Sequence, residues 1–128
     1  MRLVWKKYDF RTLEASLSVS FCLYVFHHPD DGDQPFYIGK ARHFGTRQSA
    51  GYRASARYNS GYVHLIAGML RSGFQLYVAR IGERYFADVE KYEQELIALW
   101  NPIRQQRIKA ARLPVRTSKP WAKTRVDA

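Results

Sequence analysis

Cysteine is almost missing: Cys22 is the single thiol in 128 residues. One cysteine builds no disulfide framework and no multi-cysteine metal knot. Inside an apolar run it reads as a small core residue. Long apolar runs are missing as well, and none approaches the ~20 residues that a membrane-spanning helix needs. The first residues carry no signal-peptide core either, because Lys6, Lys7, Asp9, Arg11 and Glu14 interrupt them. These absences lead to the expectation of a soluble, intracellular (cytoplasmic) protein with no membrane partner. Acid is scarce: 11 Asp+Glu stand against 21 Lys+Arg, a formal net charge of +10. So basic a chain implies an anionic partner, most commonly nucleic acid. The alternatives are charge that serves solubility, or a basic fold of a nucleoprotein particle.

What is present suits one domain with one modest core, since 46% of the residues are hydrophobic and 15% aromatic. The first clear strand comes out of residues 16–26, with the run Phe21-Cys22-Leu23-Tyr24-Val25-Phe26 at its heart. Residues 27–35 (HHPDDGDQP) read as a loop, and Phe36-Tyr37-Ile38 as a second, short strand closed by Gly39. Joined as a hairpin, the two strands would turn Tyr24 and Tyr37 to the same side. An apolar strand needs no tyrosine, however, and Gly39-Lys40 also fits a plain turn.

Residues 1–17 read as an edge strand or a short amphipathic element. Residues 42–55 read as a short helix, anchored by Phe44 and frayed by Gly45 and Gly51. Asn59-Ser60-Gly61 reads as a turn. Residues 62–70 have helical spacing, with Val63, Ile66 and Leu70 on one side. Residues 74–81 alternate as a strand with one face on a core. The strongest helix covers residues 84–100, with Phe86, Val89, Leu96, Ile97 and Trp100 as its apolar stripe and Asn101-Pro102 as its stop.

Glu93 falls within that stripe, while Glu90 and Glu95 lie elsewhere on the wheel. A carboxylate facing a core needs a cation, a metal or hydrogen-bond donors. Both readings stand at this point: an ion pair with an arginine at the core edge, or a ligand for a divalent cation. His27, His28 and His43 have no other ligand at metal-site spacing and read as loop residues. From Ile103 onward the chain is basic and broken by Pro114 and Pro120. That extension is expected either to follow phosphates or to be a solvated tail. Trp121 would stack on a base or dock on the core.

Together, Cys22-Leu23-Tyr24, Tyr37-Ile38-Gly39-Lys40-Ala41, Arg47, and Glu93 followed by Leu96-Ile97 and Pro102 resemble the GIY-YIG endonuclease domain, over roughly residues 21–105. Cys22 stands at the usual glycine and Leu23 at the usual isoleucine. The resemblance implies an α/β (α+β) fold, a small central three-stranded antiparallel sheet flanked by helices. The order strand, strand, helices, strand, helix read above agrees with it. The expected organisation is an N-terminal extension (1–15), the nuclease-like domain (16–105) and a basic extension (106–128).

The activity implied is metal-dependent hydrolysis of phosphodiester bonds in DNA, including branched or single-stranded DNA, by a monomer or homodimer. A weakened or inactive DNA-binding relative is the alternative. By resemblance, Glu93 holds Mg2+ or Mn2+ and Arg47 hydrogen-bonds the phosphate. Tyr24 and Tyr37 are the motif tyrosines, and Tyr24 helps to deprotonate or orient the attacking water. Phenols with the ordinary pKa near ~10 need nearby positive charge for that task, which Lys40 could supply. Members carry a histidine or tyrosine one turn after the arginine. Here that place is Gly51, with Tyr52, Tyr58 and His64 as substitutes and Tyr52 nearest. Gln105 stands where members have asparagine. The expected DNA contacts are Arg42, Arg53, Arg57, His64, Arg104, Arg107, Lys109 and Arg112.

Overall fold

The computed structural model describes residues 2–45, 56–104 and 117–122, with side chains from residue 63 onward in the middle segment. Arg47, Tyr52, Arg53, Gln105, Arg107, Lys109 and Arg112, and the side chains of Arg57 and Tyr58, lie outside that description. So does most of the helix expected at 42–55.

The chain runs β1 (Trp5–Tyr8), a 3-10 turn (Phe10–Thr12), α1 (Leu13–Leu17), β2 (Ser20–His27), β3 (Tyr37–His43), α2 (Ala56–Arg71), β4 (Gln75–Arg80), a 3-10 segment (Glu83–Asp88) and α3 (Val89–Trp100). The fold is mixed α+β. Its sheet has four antiparallel strands in the order β1-β4-β2-β3, where three were expected. The added strand is β1, which pairs along β4 from Trp5↔Ala79 to Tyr8↔Leu76.

β2 is central, flanked by β3 and β4, and buried on both faces from Cys22 to His27. That is why its sequence is a continuous apolar run rather than an alternating one. β4 corrects the reading of a strand with one face on a core: Leu76, Tyr77, Val78 and Ala79 are all buried. Two cores result. On one face Tyr8, Cys22, Tyr24, Phe26, Leu76 and Val78 pack with Phe44, Ile66 and Leu70. On the other face Leu23, Val25, Ile38 and Ala79 pack with Val89, Leu96, Ile97 and Trp100.

α2 passes straight through Asn59-Ser60-Gly61, so the expected turn is helix. Intrinsic preference at three residues is weak against an apolar face that must be buried. Ile66 and Leu70 are buried as their spacing implied. Gly73 ends the helix with φ 99, a conformation open to glycine.

α3 starts at Val89, later than expected, because residues 83–88 form a 3-10 segment. Asn101 closes it in the left-handed conformation, donating its N–H to the carbonyl of Ile97, and Pro102 follows. Glu95 is buried alongside Glu93, which the helical wheel did not indicate.

The segment 117–122 folds back onto the sheet. Trp121 stacks on His27 at 4.8 Å and meets Trp100 edge-on at 5.2 Å. Its indole N–H donates to the carbonyl of Asp33, and Lys119 pairs with the Asp33 carboxylate at 2.9 Å. Trp121 thus docks on the core. His27 is the buried last residue of β2, not a loop residue. No described helix is long and apolar enough to cross a membrane.

Candidate functional site on the edge strand β3

The hairpin β2–β3 positions most of the described candidates. Tyr24 pairs with Gly39 and Phe26 with Tyr37. Directly opposed residues share a face, so Tyr24 and Tyr37 do face the same side. Their rings lie 6.3 Å apart.

Tyr24 is 2% exposed, set edge-on against Phe44 at 4.9 Å and Phe26 at 5.9 Å. Its phenol end occupies the space where a residue at position 39 would carry Cβ. A Cβ on Gly39 would sit 2.3 Å from Cζ and 2.4 Å from the hydroxyl oxygen. Gly39 is required for room, and the room is filled by Tyr24 itself.

Lys40 and Glu93 form the second pair. The Lys40 ammonium donates to Glu93 Oε1 at 3.0 Å. Glu93 is 8% exposed, on the stripe of α3 that covers the sheet. The counter-ion expected at the core edge is therefore a lysine from the motif itself rather than an arginine. Lys40 alternates with Gly39, so it points to the α3 face along with Ile38.

The structure thus assembles two pairs on opposite faces: Tyr24 with Tyr37, and Lys40 with Glu93. Between them lies β3, which pairs with β2 alone among the described strands. One phosphate could meet groups from both pairs only by resting against the outer edge of β3.

The remaining described candidates are more exposed. Arg42 lies over Phe21 and Phe86, 5.7 and 5.4 Å from their ring centres. His64 is exposed on α2. Arg104 lies 5.9 Å from the Phe36 ring, and its N–H donates to the Phe36 carbonyl. All three of these residues are exposed.

Among the described candidates, Glu93 is the one that could hold a divalent cation. Glu93 gives Oε1 to Lys40, and no described donor meets Oε2. One carboxylate with water and substrate phosphate is an arrangement that Mg2+ accepts. Among the described residues there is no cluster of three or more His, Cys, Asp or Glu that could form a closed protein cage.

Cys22 lies on the tyrosine face, opposite Arg80 and fully buried. Burial pushes its thiol pKa up to about 12, against a weaker opposing pull from Arg80. It is a core group and not a nucleophile.

Set against protein-family models, curated proteins and solved structures, the chain matches none.

Proposed function

We propose that the protein is a GIY-YIG-like endonuclease that hydrolyses DNA phosphodiester bonds with a divalent cation. The observation that carries the reading is the side chain of Tyr24, seated in the space left by Gly39 and beside Tyr37. An aromatic ring over an edge-strand glycine is a packing device in its own right, but packing does not call for its hydroxyl. A nuclease that must orient a water at a sheet edge has a use for one.

In this reading Tyr24 and Tyr37 hold the attacking water from one side of β3. Glu93 would hold Mg2+ or Mn2+ from the other side, and Lys40 holds that carboxylate in place before substrate arrives. The bound cation would polarise the scissile phosphate and offset its developing charge. By resemblance to the family, Arg47 would hydrogen-bond the phosphate oxygens. The excess of basic residues supplies salt-sensitive attraction to the DNA backbone. Cutting both strands requires two such sites, hence a dimer or two successive nicks.

One observation favours a second reading. Lys40 already neutralises Glu93, which also describes a DNA-binding module whose carboxylate has become structural. Supercoiled plasmid with magnesium separates the two. Nicking by the wild type that disappears with Glu93→Ala and with EDTA is the expected result. Salt-sensitive binding without cleavage of plasmid, single-stranded or branched DNA would establish the module and overturn the nuclease.

A further inference from the structure

A groove of about 330 Å³ opens at the β1 side of the sheet, lined by Val4, Lys6, Tyr8, Val19, Val78 and Arg80. Lys6 is paired with Val78 in the ladder, and Arg80 lies two residues further along β4. Both cations therefore rise from the same face as diagonal neighbours, close enough for long side chains to meet one anion. Their surroundings are apolar apart from the Tyr8 ring, over which the Lys6 ammonium sits at 5.3 Å. No described acidic residue lines the groove, and neither cation joins an ion pair with a described residue.

Two exposed charges of one sign line this one groove with no counter-ion among the described residues, and they repel each other. An anion shared between them removes that repulsion. The apolar floor of Val19 and Val78, both nearly fully buried, lowers the local dielectric and strengthens the attraction. We propose that this groove holds a backbone phosphate of bound DNA, apart from the one that would be cut. This rests on reading the anionic partner as DNA.

Strands lie about 4.8 Å apart, and two to three spacings separate the groove from β3. The span is roughly 10–15 Å, or about three to four base pairs at a rise of 3.4 Å. Ser20 on β2, between the two places, and His43 on β3 are hydrogen-bonded at 2.9 Å along the same end of the sheet. A strand held in the groove would thus be led across the sheet end toward the β3 edge.

The test is binding of a short labelled DNA duplex, followed by fluorescence anisotropy in EDTA over roughly 50 to 200 mM salt. Lys6→Gln combined with Arg80→Gln is compared with a charge-matched control, Lys7→Gln combined with Lys91→Gln. The expected result is a salt slope lower by about 0.9 in the groove variant, one phosphate's counterions, with severalfold weaker binding at low salt. The control keeps the wild-type slope. Exchanging the two residues (Lys6→Arg with Arg80→Lys) restores the slope and shows that folding was not the cause.

An equal fall in both variants would mean a diffuse field and overturn the groove. So would an unchanged slope, or a wild type that binds no DNA. Because cleavage is read separately, the two proposals fail separately. A slope that responds in a protein that cuts nothing keeps the groove, whereas plasmid cleavage with an unaltered slope removes it alone.

Discussion

Gly39→Ala is the most informative single change, because it adds one methyl group at the place where the candidate site is tightest. The new Cβ would lie 2.3 Å from Cζ of Tyr24, 2.4 Å from its hydroxyl and 2.8 Å from Cε2. Carbon atoms in contact sit near 3.5–4.0 Å, so the ring must give way by more than an ångström. A flexible exposed side chain would do so at little cost. Tyr24 cannot, since Phe44 and Phe26 hold the ring edge-on and it is 2% exposed. Overpacking of this kind costs about 1–3 kcal/mol. For a chain of this length that corresponds to a fall in Tm of roughly 4–12 °C.

Differential scanning calorimetry gives the stability, and plasmid nicking gives the activity. The decisive measurement is the double variant Gly39→Ala with Tyr24→Leu. Leucine lacks the atoms that clash, so the two changes together should cost at least about 1 kcal/mol less than their sum. Strict additivity, or a Gly39→Ala protein with wild-type Tm and wild-type nicking, would refute the claim that the phenol fills the glycine's space. Tyr24→Phe keeps the ring and removes the hydroxyl. It should lose about a hundredfold or more in cleavage, with only a small change in Tm.

Lys40→Met removes the cation from Glu93 and should destabilise the protein by about 1 kcal/mol. The value is small for a buried pair because a third of the lysine side chain is exposed. Urea unfolding checks it, and adding Glu93→Gln should recover part of the loss. Cys22 makes alkaline stability depend on one buried thiol, whose pKa rises from 9.0 to about 12 on folding. The unfolded chain gives up that proton first, so stability is fully present below pH 9 and falls as pH climbs toward 12, by roughly 1.4 kcal/mol per unit. Urea midpoints at pH 8 and pH 10 should therefore converge for Cys22→Ala relative to wild type. Trp121→Ala strips the cover from His27 and Trp100. A loss of about 2 kcal/mol is expected in urea unfolding, and no loss would mean that 117–122 does not hold to the sheet.

The hairpin, the α3 stripe and the buried carboxylate of Glu93 were legible because each rests on local spacing: an apolar run, a turn-rich gap, a 3.6-residue period. β1 was legible only as one of two options, an edge strand or a short amphipathic element, since Trp5–Tyr8 is too short to show alternation and its ladder is with a distant β4. The double burial of β4 was also hidden. Tyr77 and Ala79 look like a solvent face by alternation, yet α3 and Trp121 cover them. The fate of Lys40 could not be read either. It follows the motif glycine by one residue, and only the pleat shows that this step carries it through to the other side of the sheet.

The hydrogen bond from Trp5 to Thr117 joins positions 112 residues apart. Its consequence is kinetic. The β2–β3 hairpin is local, and its two strands can meet as soon as residue 43 is available. β1 must wait until β4 exists, and the Trp5–Thr117 and Trp121 contacts wait longer still. Long-range pairings of this kind slow folding, because loop closure must precede any gain from contact. During synthesis the open flank of β4 would stay exposed until Trp5–Tyr8 returns to it, and the indole of Trp121 is among the last groups to settle. The tyrosine hairpin is therefore expected to form early, and the opposite border of the sheet to be the last part closed and the first to open.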